Sequence, residues 1–146
     1  MDFDSAAFPM IIAIGNDLAE VGRIQEAVAD PKTGSRFRAR VYTPGEQAYC
    51  EGRRAAKYQS YAARFAAKEA TMKALGKGWG RYVGWLDIEV VRPRGSRPEI
   101  VLHGKAKEYA TSLGITRLHL ALTHTSVLAE AVVVAEGDTE RKRSRL

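Results

Sequence analysis

The spacing of apolar residues along the chain predicts alternating strands and helices. Short apolar or alternating runs predict strands over 10–16, 86–92, 99–103, 117–123 and 129–136. Apolar residues at helical spacing predict helices over 18–29, 44–57, 59–75 and 105–113. A capping box formed by Thr43 and Glu46, with Pro44 at the first helical position, marks the start of the second helix. The order β-α-α-α-β-β-α-β-β indicates an α+β fold with one mainly antiparallel sheet covered by helices.

Length and composition limit the class of protein further. A chain of 146 residues fits one domain, which we expect to span residues 10–137 with flexible tails at 1–9 and 138–146. The single cysteine, Cys50, excludes an internal disulfide and fits a reducing compartment. The apolar run at 9–14 is too short to cross a bilayer. We therefore expect a cytoplasmic protein that has no membrane partner.

The net charge points to an anionic partner without identifying it. Lys and Arg number 23 against 17 Asp and Glu, which gives a net charge of +6. Nucleic acid, a phosphorylated small molecule and an acidic protein all fit such a balance. The basic segment with Arg36, Arg38 and Arg40 prompts the hypothesis of a nucleic-acid-binding module, but the chain has no recognition motif and no aromatic stacking platform.

The helix predicted over 59–75 is apolar on two sides. One face is made of alanines that recur at i, i+4, i+7 and i+11: Ala63, Ala67, Ala70 and Ala74. The opposite side carries large apolar residues, a pattern typical of a helix inside a core or an oligomer interface. Glu69 lies among those apolar residues and needs a partner. An ion pair with Lys73, four residues later, is one interpretation, and a functional carboxylate is the other.

Other polar residues also leave two interpretations open. Asp17 follows the first predicted strand, where it caps the next helix or joins Glu69 as a second oxygen ligand for Mg²⁺. The cations on and after the long helix form a solvated face or a phosphate cradle with the glycine-rich turn that follows: Arg64, Lys68, Lys73 and Lys77. His124 is a structural histidine or a functional one.

Three ordered blocks of sequence resemble the bacterial holo-acyl-carrier-protein synthases. The first is Ile11–Val21 with Arg23 and Ile24 after it, and the second is Arg-Phe-Ala-Ala-Lys-Glu-Ala at 64–70 followed by 73–78. The third combines Leu-Thr-His-Thr at 122–125 with the closing apolar run at 131–136. The resemblance covers about residues 10–136, and the block at 64–69 is specific.

This resemblance implies a 4′-phosphopantetheinyl transferase fold and activity. Such an enzyme moves phosphopantetheine from coenzyme A to a serine of apo-acyl carrier protein in fatty acid biosynthesis and releases 3′,5′-ADP. Asp17 and Glu69 would be the Mg²⁺ ligands, and Glu69, Lys73 and His124 the catalytic residues. Coenzyme A would contact a larger set: Arg64, Lys68, Lys73, Gly76, Lys77, Gly78, His124 and Thr125. The family also implies a homotrimer with active sites between chains, so that His124 acts from a neighbouring subunit.

Two points stay open beside the resemblance. Many family members have serine where this chain has Ala121, which removes one hydroxyl near the phosphates. Glu69, through a water, and His124 are both candidates for the base that accepts the serine proton.

A structural trimer that has lost its activity is a rival hypothesis, but the retained Asp17, Glu69 and Lys73 speak against it. The acidic carrier protein is expected to dock on a basic surface of Arg23, Arg36, Arg38 and Arg40.

Overall fold

The computed structural model describes residues 8–138. Within these residues the strands are β1 (Pro9–Glu20), β2 (Ile88–Val91), β3 (Glu99–Leu102), β4 (Ile115–His124) and β5 (Leu128–Asp138). The α-helices are α1 (Val21–Ala29), α2 (Gly34–Val41), α3 (Pro44–Glu51), α4 (Lys57–Leu75) and α5 (Gly104–Ser112). Short 3₁₀ helices lie at Arg54–Ala56 and Trp85–Asp87. The predicted α+β class with an antiparallel sheet and covering helices is confirmed.

The main sheet has three antiparallel strands in the order β1-β5-β4. Its middle strand, β5, places Ala131 opposite Asp17 of β1 on one side and opposite Leu122 of β4 on the other. Strands β2 and β3 form a separate antiparallel hairpin. The ends of the predicted tails join the main sheet, because Pro9 pairs with Asp138. The rest of the predicted tails, at 1–7 and 139–146, lies outside the described residues.

Helix α4 lies across one face of this sheet, and small residues bring the two elements close together. The alanines of its narrow face, including Ala67 and Ala70, are fully buried, as are Ala129 and Ala131 of β5. Gly15 of β1 touches the helix backbone: a Cβ there would lie 2.7 Å from the amide nitrogen of Ala74 and closer still to the carbonyl oxygen of Ala70. The alanine face therefore packs inside this chain, which answers the question of core or interface in favour of the core.

The opposite face of the main sheet is not covered by any element among residues 8–138. Ile14 and Leu18 of β1 are 62% and 60% exposed, and Val132 and Val134 of β5 are half-buried. Cross-strand partners point to the same side of a sheet, so these apolar side chains lie together on one surface. Contiguous apolar surface of this kind is typical of protein interaction sites.

Several predicted elements differ from the structure. Strand β1 continues through Asp17 to Glu20, so the helix expected from residue 18 begins at Val21. The basic segment after residue 34 is helix α2, which the sequence pattern did not predict because Phe37 and Val41 are its only large apolar residues. The helix expected over 44–57 ends at Glu51, after which the chain turns and α4 begins at Lys57.

Helix α3 holds the cysteine of the chain. The Cys50 side chain is fully buried, and burial raises the pKa of its thiol to about 12. A thiol with this pKa is protonated at neutral pH and therefore a poor nucleophile.

We expect Gly15→Ala to destabilise the protein by about 3 kcal/mol or more, because the added methyl group cannot fit against the α4 backbone. Gly22→Ala is the matched control, since a Cβ at Gly22 on the exposed side of α1 meets nothing within 4 Å. That variant should gain about 0.5–1 kcal/mol from reduced chain entropy and better helix propensity. Thermal unfolding at equal protein concentration measures both, and equal stabilities would contradict the packing described here.

Candidate functional site

The fold brings together the carboxylates of Asp17 and Glu69, which lie 52 positions apart in the sequence. Gly15 rests on α4 beside Ala70, and Asp17, two residues further along β1, projects from the same side of the strand. Glu69 precedes Ala70 on the helix. Asp17 is not a helix cap, because the strand runs past it and the residue before α1 is Glu20. The close approach of β1 to α4 thus determines where the two carboxylates meet.

Lys73 completes this group. Its Nζ donates to Oδ1 of Asp17 at 2.9 Å, with side chains 55% and 18% exposed respectively. The ion pair suggested by the i,i+4 spacing of Glu69 and Lys73 is not formed within residues 8–138, since Lys73 turns to the strand instead. Glu69 and Lys73, one turn apart on α4, and Asp17 of β1 therefore place two carboxylates and an ammonium group together on a partly exposed surface.

The electrostatics of the group favour a bound cation. Partial burial raises the pKa of Glu69, the nearby charge of Asp17 raises it further, and Lys73 works in the opposite direction. Two carboxylates that disfavour each other's charge are stabilised when a cation binds both. Among the described residues no cluster of three or more His, Cys, Asp or Glu could hold a metal. Mg²⁺ is commonly bound by only one or two carboxylates together with water and substrate phosphates, so these two residues fit that ion.

A glycine turn follows the carboxylates at the end of α4. Gly76 adopts a left-handed conformation with φ of 75°, which a residue with a side chain rarely accepts. Its amide donates to the carbonyl of Lys73 at 3.1 Å, and the amide of Lys77 donates to Met72 at 3.1 Å. A Cβ at Gly78 would meet nothing within 4 Å. The turn therefore leaves Lys77 and an open stretch of backbone exposed at the end of α4.

His124 and Thr125 lie where β4 ends. Both are exposed, and the Thr125 hydroxyl accepts hydrogen bonds from the amides of Val127 and Leu128 at 3.1 and 3.0 Å. Thr125 thus shapes the turn between β4 and β5. The strand bearing His124 is two strand spacings from β1, about 10 Å. His124 makes no hydrogen bond to Asp17 or Glu69 within residues 8–138.

Two residues expected to contact coenzyme A are enclosed in the core. Lys68 is fully buried, and its Nζ lies 2.8 Å from Oε1 of Glu46 and donates to the carbonyls of Trp85 and Ile88. Arg64 is 4% exposed, and its guanidinium lies 4.0 Å above the ring of Tyr49 on α3. Because both cations are taken up by neighbouring elements, their positions in this chain do not support the expected contact with coenzyme A.

The sequence pattern missed the role of Glu46 in this arrangement. Its carboxylate closes the predicted capping box with Thr43, accepts from the amide of Val90 at 2.9 Å and pairs with Lys68. From the sequence, Glu46 at the third position of the capping box predicts only the start of a helix. The buried partner of Glu46 is Lys68 on α4, which lies 22 positions away in the sequence, so the pairing becomes visible only in the folded structure.

A shallow groove opens between α1, α2 and α4 next to the carboxylates. Its lining includes Leu18, Phe37 and Phe65, with Arg23 at its edge, and its volume is about 340 Å³. Arg23 and Arg36 are exposed. Arg38 is half-buried and donates to the carbonyl of Val28, so it joins α1 to α2 rather than facing solvent. The assignment of Arg38 to the carrier-docking surface stays a prediction.

Comparison with known proteins assigns the class of this fold and site. Residues 13–129 match the family model of the 4′-phosphopantetheinyl transferase superfamily. The chain belongs to this superfamily. A holo-[acyl-carrier-protein] synthase from Solibacter usitatus is 50% identical over 87% of this chain and 99% of its own length. Another from Koribacter versatilis is 46% identical over 87% of this chain and 99% of its own length.

Solved structures agree with these sequence relatives. The holo-[acyl-carrier-protein] synthase of Neisseria meningitidis superposes with a TM-score of 0.76 at 30% identity, covering 86% of this chain and 98% of that one. The synthase of Helicobacter pylori in complex with coenzyme A gives 0.72 at 33% identity, covering 84% and 98%. The described part of the chain contains no helix long and apolar enough to cross a membrane.

We expect Lys68→Ala to cost about 3–5 kcal/mol of stability, because it leaves the buried carboxylate of Glu46 without its cation. Lys57→Ala is the matched control on the same helix. Its ion pair with Glu51 is 29% and 50% exposed, so its loss should cost less than about 1 kcal/mol. Thermal or urea unfolding at fixed protein concentration distinguishes the two. A Lys68→Ala protein as stable as the control would show that Lys68 is not a structural cation.

Proposed function

We propose that this chain transfers the 4′-phosphopantetheine group of coenzyme A to a serine of apo-acyl carrier protein, as a cytoplasmic holo-acyl-carrier-protein synthase of fatty acid biosynthesis. The observation that carries the proposal is the meeting of Asp17, Glu69 and Lys73 beside the Gly76 turn. The superfamily match and the 50% identical relative support the same activity. Coenzyme A bound to the Helicobacter pylori relative supports this donor.

Asp17 and Glu69 would hold Mg²⁺. They present hard oxygen ligands at a partly exposed site, which leaves room for the phosphates of the donor. When bound, the ion offsets negative charge on the pyrophosphate as the phosphorus-oxygen bond breaks. Lys73 contributes a second positive charge at the same place, and Asp17 holds its ammonium group towards β1.

The reaction is a phosphoryl transfer in which positioning and charge do most of the work. The serine Oγ forms a bond to the β-phosphorus of coenzyme A, the bond from that phosphorus to the bridging oxygen breaks, and 3′,5′-ADP leaves with the electron pair. The serine proton moves through a water to the carboxylate of Glu69. His124 is the alternative base. Lys77 and the amides of the Gly76 turn would bind phosphate oxygens.

The acyl carrier protein would dock in the groove next to the carboxylates. The groove offers the apolar residues Phe37 and Phe65, and Arg23 and Arg36 add exposed positive charge near it. An acidic helix seated there would bring its serine towards Glu69, which lies one helical turn beyond Phe65 on α4. Complementary charge of this kind raises the rate of encounter more than the final affinity.

The chain would act as a homotrimer. The uncovered face of the main sheet presents Ile14, Leu18, Val132 and Val134, and burial of such a surface against other copies removes it from water. His124 and Thr125 lie at the end of β4, which is an edge strand of the main sheet within residues 8–138. From there a neighbouring subunit's His124 could complete the site around Asp17 and Glu69, as the resemblance implies.

We expect the wild-type chain, mixed with apo-acyl carrier protein, coenzyme A and Mg²⁺, to add one phosphopantetheine group to the carrier. Glu69→Gln should lower kcat at least about a hundredfold, because it removes a charged ligand and the proton acceptor. Glu108→Gln, a like change on the exposed side of α5, should have no effect. Mass spectrometry of the carrier protein measures all three, and an unmodified carrier with wild-type enzyme would refute the proposed function.

The shared site predicts recovery of activity in mixed trimers. Glu69→Gln and His124→Ala chains, each inactive alone, should regain partial activity after mixing and subunit exchange, because some sites then combine an intact Glu69 with an intact His124 from another chain. Light scattering checks the trimer directly. Mixing two preparations of the Glu69→Gln chain is the control, and a fully active monomer at micromolar concentration would exclude the trimeric site.

A further inference from the structure

The loop that follows α4, residues 76–84, is fixed at its two ends but has little to hold its middle. At its start the amides of Gly76 and Lys77 donate to the last turn of α4. Near its end the amide of Gly80 donates to the carbonyl of Val83 at 2.9 Å, and that of Gly84 to the Asp87 carboxylate at 2.8 Å. Within residues 8–138, Gly78 and Trp79 make no backbone hydrogen bond. Four glycines in this loop add conformational freedom.

Two cations from neighbouring helices reach the middle of this loop. The Arg40 guanidinium of α2 lies 5.0 Å from the centre of the Trp79 ring. On the other side, Nζ of Lys105 on α5 donates to the carbonyl of Gly80 at 2.9 Å. The Trp79 side chain is 55% exposed, so burial in the core does not hold it. Its contact with Arg40 is the interaction that fixes this side of the loop.

We infer that Trp79, held by Arg40, is a positioning residue for the coenzyme A-binding turn at 76–78. The inference rests on the proposed function, because it assigns the turn to coenzyme A. Trp79 is separated from Lys77 by one residue, so a fixed indole ring limits where the Lys77 ammonium and the neighbouring amides can point. Lys77 itself lies over the ring of Tyr82, with its Nζ 5.0 Å from the ring centre, so the turn also contacts a second aromatic residue of the loop.

The geometry gives the contact a modest but measurable strength. A cation above an exposed indole ring stabilises by about 0.5–1 kcal/mol, which corresponds to a roughly two- to fivefold change in an equilibrium. Loss of the contact frees the turn between its two anchored ends, and coenzyme A must then order it on binding. The cost therefore falls on coenzyme A affinity and not on the chemical step or the carrier protein.

Steady-state kinetics test this assignment. Trp79→Ala should raise the KM for coenzyme A roughly two- to fivefold, with kcat and the KM for carrier protein unchanged. Arg40→Ala should raise the coenzyme A KM by the same factor, and for coenzyme A the double variant should be no worse than either single variant, since both remove one interaction. Because Arg40 also belongs to the predicted carrier-docking surface, only Trp79→Ala is required to leave the carrier KM unchanged. Trp79→Phe and Arg40→Lys, which keep a ring and a cation, should recover part of the loss.

Hydrogen exchange of the loop in protein without substrates provides a readout that does not depend on activity. Peptides covering 76–84 should exchange faster in Arg40→Ala and in Trp79→Ala than in wild type. Arg53→Ala is the matched control, because Arg53 is an exposed arginine 5.7 Å from the ring of Tyr49, in another part of the chain. That variant should leave both the loop exchange and the coenzyme A KM unchanged.

The outcomes separate this inference from the proposed function. A wild-type chain that modifies no carrier protein refutes the function, while the exchange data still report on the loop. An active wild type with additive Arg40 and Trp79 effects, with unchanged loop exchange, or with a Trp79→Ala effect on the carrier KM alone overturns the positioning role. Coupled effects of Arg40 and Trp79 on the coenzyme A KM, with the carrier KM unchanged in Trp79→Ala, support it.

Discussion

The contact of β1 with α4 through Gly15 is the constraint on which the rest of this structure depends. Only a residue without a side chain lets the strand backbone rest on Ala70 and Ala74, and the alanines of α4 and β5 allow the sheet to follow. This close approach does two things at once. It forms the core of a small domain from small residues, and it places Asp17 of the strand beside the last turns of the helix. The stability of the fold and the geometry of the candidate site therefore depend on the same contact between β1 and α4, and a substitution that disturbs this contact affects both.

Helix α4 divides its charged residues between these two tasks. Lys68 and Glu69 are neighbours in sequence, but they point to different surroundings about 100° apart around the helix. Lys68 is enclosed with Glu46 and the carbonyls next to β2, while Glu69 faces the partly exposed region near Asp17. The buried ion pair ties α3, α4 and the β2-β3 hairpin together. A charged residue in a specific motif is thus not automatically a ligand contact, and burial decides between the two roles.

Much of the fold was predictable, because strands β2 to β5 and helices α4 and α5 have strong periodic patterns and glycine or proline boundaries. The sequence pattern does not predict helix α2, because this helix has several arginines and few apolar residues. It predicts the start of α1 too early, because Asp17 resembles a helix N-cap. For the site, the motif resemblance named Asp17 and Glu69, but spacing alone could not bring together residues from a strand and a helix. Nor could it show that Lys68 and Arg64 are enclosed, because their partners Glu46 and Tyr49 belong to another helix.

The buried thiol of α3 gives this protein a built-in reporter of its own opening. Cys50 is the sole cysteine of the chain, and it is completely enclosed with a pKa raised by burial to about 12. An alkylating reagent reacts with the thiolate, so labelling must wait until the helical layer around α3 separates and the thiol regains its ordinary acidity. The rate of labelling under native conditions therefore measures the free energy of that opening without any engineered probe. The same enclosure protects the chain from oxidation and from disulfide-linked aggregation for as long as it stays folded.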